Sequence, residues 1–233
     1  MKTAGIIAEY NPFHYGHQYH IEQTRKKTGA DYVIAIISGN FVQRGAPSVI
    51  DKYQRTKAAL SSGCDLVLEL PVVYSSASAE FFASGAVCLL DSLGICDFLS
   101  FGSEAGKLDQ LSVLSDILRE EPSDFKNILK FYLREGMSFP LAREKALHTY
   151  CDSILHCQFS NDFWSSLKQS NNILALEYLK SLKKIRSGIF PVTITRKNAP
   201  YHDKKLYEDF SSATAIRHTL FTSKDCSQIK HSV

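Results

Sequence analysis

The sequence predicts an α/β domain built on a parallel, Rossmann-like sheet with a mostly helical insertion. Three observations carry this reading. Short runs rich in Val and Ile, apolar at successive positions, recur through the first hundred residues; such runs are strands covered on both faces. Segments of helical length separate them, which is the arrangement of βαβ units with right-handed crossovers. Finally, 233 residues with 44% hydrophobic and 22% charged side chains suffice for one large core without a disulfide or metal staple.

Taken in order, Thr3–Ala8 is the first strand and is followed by a helix over about 16–28. Tyr32–Ser38 is the second strand, and a helix over about 51–62 leads to a third, Asp65–Leu70, closed by Pro71. A helix over about 77–93 precedes a fourth strand, Asp97–Phe101. Beyond Gly106 the texture changes. Leu108, Leu111, Leu114, Ile117 and Leu118 recur at helical spacing, as do Ile128, Leu129, Tyr132 and Leu133. Residues 107–186 are therefore read as helical, with breaks near Pro122, from Gly136 to Pro140 and from Ser153 to Asn161. Phe190–Arg196 is a late strand returning to the sheet, and 212–221 is a short helix capped by Ser211 or Ser212. The expected organisation is one domain over 1–233.

Composition excludes several classes. Six cysteines are scattered, none at CxxC spacing, and the Cys151, His156, Cys157 cluster lacks a second ligand pair, so no metal site is expected. Free thiols fit a reducing cytoplasm. The first apolar run is too short for a signal-peptide core, and no stretch approaches the ~20 apolar residues of a membrane helix. The expectation is a cytoplasmic protein without a membrane partner. A net charge of +3 says little, but its distribution says more. Residues 91–121 carry seven acids against two bases, and 180–205 carry eight bases against one acid. The basic stretch is either a solvated face or a surface that meets phosphates.

In open α/β sheets ligands sit at the carboxyl ends of the strands. The first strand empties into Glu9-Tyr10-Asn11-Pro12-Phe13-His14-Tyr15-Gly16-His17. His-x-Gly-His at a helix start suits a phosphate: the helix end supplies unpaired N–H groups and partial positive charge. Gly16 removes a side chain that would hold a phosphate off the backbone. His14 and His17, three apart, point the same way on the first turn. Two imidazoles there can donate to an α-phosphate more strongly as its charge grows during in-line attack. A second feature is Ser211-Ser212-Ala213-Thr214-Ala215-Ile216-Arg217. Hydroxyls and N–H groups at that helix start, with Arg217, can hold further phosphates.

In this order the two motifs resemble the HIGH-type nucleotidyltransferase superfamily, whose members bind ATP and transfer or form an AMP ester. Further segments narrow the resemblance: Ser38-Gly39-Asn40-Phe41-Val42-Gln43-Arg44-Gly45, Asp65 to Pro71, Phe101-Gly102-Ser103-Glu104, Asn171-Asn172-Ile173-Leu174 and Tyr201-His202-Asp203. Together they are similar to the bacterial tRNA(Met) cytidine acetate ligase family, over most of the chain from Ile7 to Arg217. That resemblance implies ATP-dependent N4-acetylation of the wobble cytidine of elongator tRNA(Met), with acetate as donor and acetyl-adenylate as intermediate.

The resemblance also implies a site. Its ATP-binding part covers Ile7, Ala8, Glu9, Tyr10, Asn11, Pro12, Phe13, His14, Gly16, His17 and His20, then Gly102, one of Asn171 and Asn172, and Arg196. Ser211, Ser212, Thr214 and Arg217 would hold the leaving pyrophosphate, with magnesium bridging the phosphates and no prosthetic group. His14 and His17 are the catalytic candidates. Acetate needs a cation or a cluster of N–H groups, so Arg44, Lys52 and Arg55 are candidates, with Asn40 and Gln43 to orient it. Lys183, Lys184 and Lys204 are candidate tRNA contacts. Members of that family continue past the Ser-Ser helix into a region that helps hold tRNA, so a chain stopping at Val233 is expected to keep the catalytic half with weakened tRNA capture. Two other readings stay open: an adenylyltransferase acting on a phosphorylated metabolite, and a catalytically idle nucleotide- or RNA-binding remnant. Oligomeric state is not legible.

Overall fold

The computed structural model describes residues 1–195, 211–223, 229 and 232. Five strands form one parallel sheet: β1 (Thr3–Ala8), β2 (Tyr32–Ser38), β3 (Leu66–Leu70), β4 (Phe98–Ser103) and β5 (Phe190–Thr195), in the order β3-β2-β1-β4-β5. Strand β1 is central, with Ala4 opposite Val33 on one side and Phe98 on the other. All five strands read from the sequence are present. Strand β4 runs past the expected Phe101 because Gly102 and Ser103 pair with Ile194 and Thr195 of β5. An apolar-run criterion stops at the last large side chain, whereas the hydrogen-bond ladder continues.

The alternation of strand side chains builds two cores. Ile7, Ile34 and Ile36 enter one cluster, with Phe82, Leu90, Leu99 and Leu111. Their neighbours Ile6, Val33, Ala35 and Ile37 enter the other, with Ile21 and Ala59. Successive side chains face opposite ways with period two, so an all-apolar run is buried on both sides. Helices α1 (Tyr15–Thr28) and α2 (Lys52–Ser61) connect the first three strands. Helices α3 (Val72–Ser75) and α4 (Ala79–Ser92) return to β4.

The insertion is helical as expected: α5 (Leu108–Glu120), α6 (Ser123–Arg134), α7 (Phe139–Ser153), α8 (Asn161–Ser166) and α9 (Ser170–Lys184). Helix α5 buries Leu111, Leu114, Ile117 and Leu118, the stripe its spacing marks. Helix α9 packs on β4, α4 and α5, which brings its N-terminus to the carboxyl end of the sheet. After β5, α10 (Ala213–Thr222) is capped by the Ser212 hydroxyl, which accepts from the Ala215 N–H at 3.0 Å. Among the described residues, no helix is long and apolar enough to cross a membrane, and no group of three His, Cys, Asp or Glu side chains is placed to hold a metal.

Candidate functional site

A cleft of about 1310 Å³, its open mouth included, lies at the carboxyl ends of β1 and β4. It is where a doubly wound sheet puts a ligand. The turn after β1 forms its first wall. Tyr10 has φ of 50° while only 1% exposed, a left-handed backbone that a bulky residue adopts only when its surroundings impose it. Its ring is fixed edge-on to Phe13 and His17, at 4.9 and 4.8 Å. The Asn11 side chain accepts from the Val49 N–H at 2.8 Å, holding the turn to the neighbouring loop.

The two histidines cap α1. His14 Nδ1 accepts from the Gly16 N–H at 3.0 Å, and His17 Nδ1 accepts from the His14 N–H at 3.3 Å. This is a capping box made with imidazoles. It assigns the tautomer: a neutral ring whose Nδ1 accepts carries its proton on Nε2. The rings stack with centroids 3.8 Å apart, and both line the cleft. Gly16 has a reason beyond ligand approach, since a Cβ there would sit 2.8 Å from the His14 ring.

The opposite wall is the start of α10. Arg217 donates to the Asn11 carbonyl at 2.6 Å and to the Thr214 hydroxyl at 3.2 Å. It ties α10 to the β1 turn across more than two hundred residues of chain. Ser212, Ala213 and Arg217 line the cleft, whereas Ser211 is buried against the Ser232 hydroxyl at 2.9 Å.

Most of the sequence-derived nucleotide residues converge here. Ile7, Ala8, Glu9, Tyr10, Asn11, His14, Gly16, His17, His20, Gly102, Asn171, Ser212 and Arg217 all line the cleft. Pro12, Phe13, Thr214 and Ser211 are not among its lining residues. The geometry separates Asn171 from Asn172. Asn171 lines the cleft, while Asn172 is fully buried. The Asn172 side chain accepts from the Ser103 hydroxyl at 2.7 Å and donates to the Ser166 carbonyl at 2.9 Å, stapling α9 to β4 and α8. Neither asparagine is the N-cap of α9, which is Gln169. Arg196 and Lys204 lie outside the described residues.

The loop after β2 behaves differently. Of the acetate candidates, Asn40, Arg44, Lys52 and Arg55 do not line the cleft, and Gln43 does. Asn40 and Arg44 are exposed, and Lys52 donates to Glu69 at 2.6 Å. Arg55 is 1% exposed and donates to the carbonyls of Ile50, Glu9, Ser38 and Gly39. It is a clamp across the ends of β1 and β2. Gln43 does line the cleft, and its N–H donates to Glu9 Oε1 at 3.1 Å. Burial pushes the Glu9 carboxyl up from its ordinary range, against that N–H and the nearby charges of Arg217, Arg55 and Arg44. The basic stretch also divides. Lys183 is spent on α5, with Nζ 2.8 Å from Asp116 and 2.9 Å from the Ser112 carbonyl, whereas Lys184 is exposed.

The residues missed from sequence are Ser170, Thr195 and the apolar floor: Phe82, Phe101, Leu174, Tyr178 and Ile194. One signal was present. Asn171, Leu174 and Tyr178 fall at i, i+3 and i+7 on α9, one face of one helix. The cleft therefore has a polar end that offers N–H donors to an anion and an apolar end that fits a flat ring.

Comparison with known proteins gives the family. The chain is 52% identical over 230 residues to tRNA(Met) cytidine acetate ligase of Clostridium novyi, covering 99% of this chain and 56% of that protein. It is 47% identical to the protein of the same name from Acetivibrio thermocellus, covering 97% of this chain and 53% of the other. The crystal structure of apo Thermotoga maritima TmcAL superposes with a TM-score of 0.94 at 43% identity, over 100% of this chain and 54% of that one. The same protein bound with alpha-thio ATP superposes with a TM-score of 0.89 at 42% identity, over 100% of this chain and 53% of that one. The chain thus spans about half the length of the relatives it matches. The HIGH Nucleotidyl Transferase profile matches residues 1–233, every residue of the chain. The chain belongs to the HIGH nucleotidyl transferase family.

Proposed function

We propose that this chain is the ATP-using half of a ligase that activates acetate as acetyl-adenylate and acetylates N4 of the wobble cytidine of elongator tRNA(Met). The paired imidazoles carry the reading: capping fixes both rings as Nε2–H donors at a helix N-terminus that lines the cleft. The names of the relatives supply the substrate class, and the ATP analogue in the Thermotoga maritima structure supplies the nucleotide.

ATP lies with its phosphates at the polar end. An acetate oxygen attacks the α-phosphorus in line, and pyrophosphate leaves toward Ser212 and Arg217. Acetate is already ionised at neutral pH, so this step needs no base. His14 and His17 donate to the α-phosphate oxygens, preorganised where charge grows. The cytidine amine then attacks the acetyl carbonyl and AMP leaves. Magnesium enters as part of Mg-ATP, as substrate. Among the described residues Glu9 is the one carboxylate that lines the cleft, and no group of three His, Cys, Asp or Glu side chains is placed to hold a metal. Among the described candidates for tRNA, Lys184 is the one whose ammonium faces solvent. Lys184→Glu is expected to flatten the salt dependence of tRNA binding by about 0.7–0.9 log units per log unit of salt, the value of one phosphate contact. An unchanged slope places the RNA elsewhere.

Acetate-dependent ATP–pyrophosphate exchange, with product analysis, tests the whole reading. The expected nucleotide product is AMP. ADP as the main product, or exchange that requires a phosphorylated metabolite in place of acetate, overturns it.

A further inference from the structure

Two consecutive asparagines at the start of α9 meet one carboxylate. Glu104, just past β4, accepts from Asn171 Nδ2 at 2.6 Å through Oε1 and from the Asn172 backbone N–H at 3.0 Å through Oε2. An ionised carboxylate only accepts hydrogen bonds. The Asn171 amide therefore has one orientation: its NH2 group turns to Glu104 and its carbonyl oxygen turns away. The second bond fixes Glu104 itself, because a backbone N–H in a helix cannot reverse. Asn171 lines the apolar end of the cleft with Phe101, Leu174 and Tyr178, the end suited to a nucleobase.

We propose that Glu104 is a positioning residue for nucleobase choice. It holds the Asn171 carbonyl oxygen ready to accept from a 6-aminopurine, and it sets that oxygen against the oxygen of a 6-oxopurine. The inference rests on the nucleotide reading of the cleft. Two like acceptors facing each other lose a hydrogen bond and leave both groups unsatisfied, so the selection is exerted as rejection of the wrong base.

The isosteric change Glu104→Gln gives a directional test. The carbonyl oxygen of the new amide must take the Asn172 N–H, since that donor cannot turn. The NH2 group of the new amide then faces Asn171, whose own amide rotates by half a turn and presents NH2 to the cleft. That group suits a 6-oxopurine. The measurement is kcat/KM for ATP and for GTP in acetate-dependent pyrophosphate exchange, with equilibrium binding of each nucleotide by calorimetry. The ATP:GTP ratio is expected to fall at least about tenfold and to move toward GTP in Glu104→Gln, while the melting temperature stays close to wild type. Glu104→Ala, which leaves the amide unheld, is expected to give an intermediate ratio. Parallel loss with both nucleotides at an unchanged ratio means a merely structural role and overturns the proposal. Should the wild-type chain bind ATP but support no exchange, the ligase reading fails while the binding ratio still decides this one. If it binds neither nucleotide, both readings fall.

Discussion

The turn after β1 and the loop after β2 lie side by side at the carboxyl edge of the sheet, and both are dense in polar side chains. They use them in opposite ways. In the first, His14 and His17 satisfy backbone donors with Nδ1 and still line the cleft. In the second, two of the three cations are consumed, Arg55 on four carbonyls and Lys52 on Glu69, and the third, Arg44, is exposed away from the cleft. A ring with two nitrogens can serve structure and ligand together, and a buried guanidinium surrounded by carbonyls cannot. Charge in a strand-end loop is therefore a poor guide to anion binding, and a capping side chain with a second nitrogen is a better one.

The sharpest way to break this contrast is Arg55→Ala. It orphans carbonyls at the ends of both strands and opens a void, and it is expected to destabilise the fold by about 3–5 kcal/mol in urea denaturation. A stable variant with impaired acetate saturation would instead return Arg55 to the ligand. Next comes His17→Ala. Adenylation is expected to fall on the order of 10²–10³-fold, as for loss of one preorganised donor, with much less change in ATP affinity. Exchange at the wild-type rate would reduce the histidines to caps.

The smallest effect falls on Glu9, which touches both regions. Its carboxyl is raised above 4.5 by burial, so the folded state holds that proton more tightly than the unfolded chain. The associated stability is present below that value and is lost as pH rises through the folded pKa. Glu9→Gln removes the loss, and its denaturation midpoint relative to wild type is expected to climb from pH 4.5 toward neutrality. A difference that is flat with pH would contradict the burial assignment.

The sheet was legible because period-two burial writes itself as unbroken apolar runs, as in Tyr32–Ser38. The histidine wall of the cleft was legible because His-x-Gly-His combines residue type with a position directly after a strand. What stayed hidden depends on partners remote in sequence. Asn171 and Asn172 are identical as letters, and their side-chain partners tell them apart: Glu104 for Asn171, Ser103 and Ser166 for Asn172. Lys183 and Lys184 are likewise neighbours in one basic run, divided by an aspartate 67 positions away. The apolar floor left a faint trace, because Leu174 and Tyr178 look like any buried helix face.

The strand order has a kinetic corollary. Phe190 pairs with Phe98 only after residues 104–189 have been laid down between the paired strands, and α10 comes later still. Closing so long a loop is slow relative to pairing β1 with β2, which are joined by one helix. The wall carrying Ser212 and Arg217 therefore docks late, against a histidine turn formed early. A ligand held between them meets its full set of contacts only once both walls are in place. It should slow unfolding and leave the folding rate nearly untouched.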